Sequence, residues 1–147
     1  MITLREVDSK NWYKLAKLKV AEGQLSFVAQ NAISLAQAKY EQGMTPLGIY
    51  SEEEPVGFCM YGHFEEGDGG EEWIIRLMVD ESFQSKGYGR KAMERLIERI
   101  RAEAGEKDIF LSFEPENHLA RRLYESMGFE PDGRVIDGEI VYRLKAI

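Results

Sequence analysis

Apolar residues follow two rhythms along this chain, an alternation suited to strands and a three-to-four spacing suited to helices. Ile2–Glu6 reads as a first strand. A helix capped by Ser9 is predicted to run to about Val20, with Trp12, Leu15, Ala16 and Leu18 as its apolar contacts. Ser34-Leu35-Ala36-Gln37 has the form of a capping box and opens a second helix to about Gln42, stopped by Gly43. Thr45–Ser51 and Val56–Phe64 read as a hairpin around the polar turn Glu52-Glu53-Glu54-Pro55. Glu71–Val79 alternates little, which predicts a strand buried on both faces. Ala92, Met93, Leu96, Ile97 and Ile100 form a helical stripe that ends at Gly105. Asp108–Phe113 is a short strand, and Asn117 to Met127 a last helix with Gly128 as its stop. Phe129–Ile136 and Glu139–Leu144 form a second hairpin through Asp137-Gly138.

Strand, helix and strand in the order Glu71–Val79, stripe, Asp108–Phe113 make a βαβ unit, whose strands are parallel. The expected fold is therefore α/β in the broad α+β sense. A mixed, mostly antiparallel sheet carries one central parallel crossover and is flanked by helices. The whole chain, residues 1–147, reads as one domain, and 65–70 as a flexible loop rather than a linker. A ligand site is expected at the carboxyl end of Glu71–Val79.

Composition narrows the chemistry. A net charge of −7 argues against nucleic acid as a partner and suits a cationic substrate. The single cysteine, Cys59, excludes an intrachain disulfide and reads as an inert packed thiol. Two histidines, His63 and His118, are too few to suggest a metal site. No apolar run is long enough to span a membrane, and the first residues do not start a signal peptide, so the expectation is a soluble cytoplasmic protein.

Candidate chemistry sits in Gln84-Ser85-Lys86-Gly87-Tyr88-Gly89, between a strand and a helix. Unpaired N–H groups and the helix dipole attract phosphate there, and glycines let the backbone come close. A P-loop needs Lys-Ser or Lys-Thr after the second glycine, which Arg90-Lys91-Ala92 does not supply. A dinucleotide fingerprint matches Gly87-x-Gly89-x-x-Ala92, but its turn should follow the strand directly, and Asp80–Lys86 intervene.

The segment as a whole resembles the motif Q/R-x-x-G-x-G/A of the GNAT N-acetyltransferases, with Gln84, Gly87 and Gly89 at its defining positions. Downstream, the run Asn117 to Phe129 is similar to the family's N-x-x-A-x-x-x-Y-x-x-x-G-F. The resemblance implies acetyl-CoA as cosubstrate. It places the pantetheine arm along the backbone of Leu77, Met78 and Val79. The pyrophosphate falls on the amides of Gln84, Ser85, Lys86, Gly87, Tyr88, Gly89 and Arg90. Asn117 is implied at the cofactor arm and Tyr124 as the acid that protonates the departing thiolate. The basic residues Lys86, Arg90 and Lys91 oppose the helix-dipole preference for acids, which a bound anion explains.

Many members carry a glutamate inside the central strand as general base, whereas this chain has Arg76 near that place. Glu72, Glu71, Glu114 or a water chain are the candidates left for that role. Phe27 to Ala38 resembles the matching region of bacterial spermine/spermidine acetyltransferases, which puts a polyamine or diamine first among acceptors. Another small primary amine and a protein amine follow. Glu22, Glu41, Glu52, Glu53, Glu54 and the Glu65–Asp68 loop are candidate cation partners. A non-catalytic acyl-CoA sensor is the competing class, and only family habit suggests a homodimer through the last hairpin.

Overall fold

The computed structural model describes residues 1–25, 27, 29–65 and 69–147. Seven strands form one sheet in the order β1-β2-β3-β4-β5-β7-β6. They are β1 (Ile2–Glu6), β2 (Met44–Ser51), β3 (Glu54–Phe64), β4 (Glu71–Val79), β5 (Ile109–Phe113), β6 (Glu130–Ile136) and β7 (Glu139–Leu144). The helices are α1 (Trp12–Lys17), α2 (Asn31–Tyr40), α3 (Tyr88–Ala104) and α4 (His118–Ser126). All pairings are antiparallel except β4 with β5, so the sheet has the one parallel crossover expected.

Helices cover both faces. The stripe of α3 buries Ala92, Met93, Leu96 and Ile100 with Ile49, Cys59, Leu111 and Phe129, and α4 adds Leu123 and Tyr124 to that side. A smaller cluster of Val20, Phe58, Met60 and Met78 lies under α2, which contributes Leu35 and Ala38. Burying each large aliphatic or aromatic side chain contributes roughly 1.5–3 kcal/mol, so Met93, Leu96 and Ile100 make α3 an anchor of the fold.

Three local expectations are corrected. Ser9 does not cap the first helix. Asp8 folds the turn instead, its Oδ1 accepting the N–H groups of Lys10 (2.8 Å) and Asn11 (2.9 Å), and the helix begins only at Trp12. Ser34 does not open α2 but lies inside it, fully buried. The helix starts at Asn31, whose Nδ2 donates to the carbonyl oxygens of Leu15 (2.8 Å) and Leu18 (3.3 Å); docking on the end of α1 outweighs the local capping pattern. Finally, β4 is not buried on both faces. Glu72, Ile74 and Met78 are buried while Trp73, Ile75, Arg76, Leu77 and Val79 are half-buried, because part of the strand borders a cavity.

That cavity follows from how β4 is paired. Its register with β3 slips between Met60 and Tyr61, which oppose Arg76 and Ile74 and leave Ile75 as a bulged residue. On the other side β5 matches β4 only at Glu72↔Ile109 and Trp73↔Phe110. Beyond Trp73 the two strands part, and β5 continues against β7 as far as Phe113↔Ile140. Among the described residues no strand pairs with the outer edge of Ile74–Val79.

Candidate active site

The gap between β4 and β5 opens into a cavity of about 670 Å³. One wall is Ile74–Val79, and the facing wall is Leu111, Ser112 and Phe113 with Asn117, Leu119, Ala120, Leu123 and Tyr124 of the α4 segment. Phe83, Gln84, Ser85, Gly87, Tyr88 and Gly89 close one end, and Val20, Gln24, Phe27 and Ala29 lie on the α1–α2 side. Among the described residues, Glu139 at the start of β7 is the only carboxylate residue on this lining.

The loop after β4 is built as an anion cradle. Ser85 (φ 66°) and Gly87 (φ 79°) are both left-handed, and such alternation turns successive N–H groups toward one point. The first main-chain bond of α3 runs from Lys91 N to Gly87 O (3.2 Å), so the N–H groups of Tyr88, Gly89 and Arg90 precede the helical ladder. A Cβ on Gly89 would sit 3.8 Å from Val79 Cγ2, and the first turn of α3 holds no acid. Open amides, positive dipole end and no competing carboxylate fit a pyrophosphate.

The loop is held from behind. Gln84 Nε2 donates to Val79 O (2.9 Å) and to Gln24 Oε1 (2.9 Å), so its side chain is a brace between loop, strand end and the 22–24 turn. Asp80, which the sequence did not single out, does similar work. Its Oδ1 accepts Lys19 N (2.9 Å) and its Oδ2 accepts Ser82 N (3.1 Å). Lys86 and Arg90 are exposed and lie off the cavity lining; Arg90 Nη1 donates to Ser126 Oγ (2.7 Å).

Asn117 caps α4, its Oδ1 accepting Ala120 N (3.2 Å), and also lines the cavity. Tyr124 packs against Phe113 (ring centroids 5.6 Å) and Phe129 (5.9 Å). Burial, with the charge of Glu139 added, pushes its phenol up to about 12, so the hydroxyl keeps its proton at any physiological pH. Cys59 is fully buried away from the lining, and burial pushes its thiol up to about 12 as well.

The carboxylates expected as bases stand elsewhere. Glu72 is buried at the far end of β4 and bonds His63 Nδ1, with Lys107 Nζ 3.9 Å away. Glu71 accepts from Trp73 Nε1 (3.1 Å) and pairs with Arg134 (3.2 Å). Neither they nor Glu114 line the cavity. Of the expected cation partners, Glu52 pairs with the terminal amine and Glu53 with Arg5, and Glu22, Glu41 and Glu54 are also off the lining. Glu66, Gly67, Asp68 and, in the acceptor-wall segment, Val28 lie outside the described residues.

Arg76, whose role the sequence left open, reaches from β4 to α2. Its Nε donates to Ser34 Oγ (3.2 Å) and its Nη2 to Gln37 Oε1 (3.2 Å). Burial lowers its affinity for the proton, partly offset by the charge of Glu139. Ser112 Oγ donates to Glu139 Oε1 (2.7 Å), a bond across β5 and β7 that no linear motif announces. Among the described residues no helix is long and apolar enough to cross a membrane, and no group of three His, Cys, Asp or Glu side chains could hold a metal ion.

The geometry agrees with what the chain is similar to. Residues 9–129 match the family model described as "Acetyltransferase (GNAT) family". The spermine/spermidine N(1)-acetyltransferase of Bacillus subtilis (strain 168) is 35% identical over 145 residues, 95% of each chain. An aminoglycoside N(6′)-acetyltransferase of Klebsiella pneumoniae is 30% identical over 116 residues, covering 71% of this chain and 58% of its own. Among solved structures, aminoglycoside acetyltransferase AAC(6′)-Ib in complex with coenzyme A and kanamycin superposes with a TM-score of 0.80 at 24% identity, over 99% of this chain and 95% of the other; at that identity the likeness speaks for the fold. The cradle, the parted strands and a family match spanning most of the chain agree, and the protein belongs to the GNAT acetyltransferase family.

Proposed function

We propose that the protein transfers the acetyl group of acetyl-CoA to a primary amine by direct attack in a ternary complex, with a polyamine or diamine as acceptor. The observation that carries this reading is the unpaired edge of Ile74–Val79 running straight into the amide cradle at 84–90. An extended amide-bearing chain ending in a pyrophosphate matches both parts: the arm adds to the edge as a strand would, and the phosphates meet the N–H groups. Leu77, Met78 and Val79 offer their backbone to the arm, and Asn117 flanks it across the gap. Lys86 and Arg90 contribute positive charge around the cradle.

The thioester brings an activated acetyl group; this chain's residues position and polarise it. A backbone N–H of β4, assigned to Leu77, stabilises the charge that develops on the carbonyl oxygen. The Tyr124 hydroxyl, held protonated by burial, donates to the departing sulfur. Glu72 is not carried into this reading, since it bonds His63 outside the cavity.

The polyamine assignment rests on the Bacillus subtilis relative at 35% identity. One observation favours a second acceptor class. A guanidinium on the cavity wall, Arg76, disfavours high positive charge beside it, which suits a small amine carrying a single charge.

Thiol release from acetyl-CoA across spermidine, spermine, a monoamine, kanamycin and a peptide N-terminus tests both readings. Release that depends on spermidine or spermine is the expected result, and preference for the monoamine would select the second class. No amine-dependent release across the whole panel would identify a non-catalytic acyl-CoA sensor. Cys59 adds no fast background because its thiol is buried and protonated.

A further inference from the structure

An alkyl ammonium near pKa 10.4 is neutral only about one part in a thousand at pH 7.4, so the acceptor needs a group that holds it and takes its proton. We infer that Glu139 is that group, a catalytic carboxylate supplied by the first residue of β7. This rests on the acetyl-transfer reading above and names the residue that reading lacks.

Three observations converge. Among the described residues, Glu139 alone on the cavity lining carries a carboxylate, while Glu71, Glu72 and Glu114 lie off the lining. Its side chain is oriented rather than free: Ser112 Oγ donates to Oε1 at 2.7 Å, which leaves Oε2 and the second lone pair of Oε1 for a ligand. It also stands within electrostatic reach of both Tyr124 and Arg76, whose proton affinities it raises. A carboxylate that lines the cavity within electrostatic reach of the proposed thiolate donor is placed to receive a cation there.

The ammonium gives one proton to Glu139, which passes it to solvent. The neutral nitrogen then forms a bond to the carbonyl carbon while the carbon–sulfur bond breaks, its electron pair going to sulfur. The nitrogen loses a second proton and the sulfur gains one, so the products are amide, thiol and one proton released.

Glu139→Gln tests this, because the amide oxygen can still accept from Ser112 and the fold is retained. With spermidine as probe, kcat/KM for the amine is expected to fall by about 10² or more. The Kd for coenzyme A by calorimetry is expected to stay within twofold and the melting temperature to be unchanged. Calorimetry of spermidine on the protein saturated with coenzyme A gives a second readout, with binding at least tenfold weaker in the variant. Turnover within threefold of the wild type, or unchanged spermidine binding, overturns the assignment. If the wild type acetylates no amine while spermidine binding still depends on Glu139, the transfer reading fails and the binding role stands, so the two failures are distinct.

Discussion

Arg76 and Ser34 meet across two layers of the fold, the guanidinium Nε of β4 donating to the hydroxyl of α2 at 3.2 Å. With Gln37 as a second acceptor, this pair fixes the acceptor-side helix to the strand that holds the reacting end of the cavity. A hydrogen bond to a charged group contributes about 1.5–3 kcal/mol. Ser34→Ala is therefore expected to raise KM for the amine several-fold while the Kd for coenzyme A, set mainly at the far end of the cavity, changes little. Equal losses in both would refute this division of labour; steady-state kinetics with calorimetry measures it.

Tyr124→Phe keeps the packing on Phe113 and Phe129 and removes only the donor. A fall in kcat of roughly 10² with little change in either KM is expected. Because burial pushes the phenol up to about 12, kcat of the wild type should show no loss attributable to this group below about pH 10. An alkaline limb near pH 8 that vanishes in the Phe variant would contradict it.

Gly87 adopts φ 79° with nothing within 4 Å of an added Cβ, so the cost of Gly87→Ala is conformational rather than steric. A left-handed non-glycine residue costs about 1–2 kcal/mol. The variant is expected to fold, melt slightly lower and bind coenzyme A some tenfold more weakly as the cradle relaxes, readable in one titration. Unchanged affinity would mean that the cradle does not depend on this conformation.

His63 is held between Glu72 and Glu65, and its bond to Glu72, then that to Glu65, raises its pKa above the ordinary histidine value near 6.5. A raised folded value makes the stabilisation fully present below the unfolded pKa and lost as pH rises through the folded one. The advantage of the wild type over His63→Gln in melting temperature should thus be largest near pH 6 and shrink toward pH 9. A difference that grows with pH would reverse the assignment. The proton NMR midpoint of His63, expected above 6.5, gives an independent check.

Much of the fold was legible because the signals were local. The stripe on α3, the turn at Asp137-Gly138 and the glycine loop declare themselves within a few residues, and β1, β4 and the single parallel crossover lie where expected. The misplaced helix starts share one cause: Ser9 and Ser34 look like caps, but Asp8 and the docked Asn31 decide where the backbone turns. In the site, Asn117, Tyr124, Gln84 and the glycines were visible as motif positions. Glu139 was not, because it faces the cavity only after β7 inserts beside β5, a pairing between segments about thirty residues apart. Glu72 lies at the start of the central strand, but its partner His63 comes from the neighbouring strand.

An exposed run of unpaired backbone is usually a hazard, because any passing chain can add to it. Here such a run has been moved indoors. The edge of Ile74–Val79 forms one wall of a cleft, where an extended arm can lie along it. A chain lying in that cleft completes the ladder, and the proposed cosubstrate becomes a temporary structural member of the protein. Its arrival should tighten the fold as well as load the reaction, so melting temperature should climb with coenzyme A concentration and keep rising with its logarithm after the missing rung is filled.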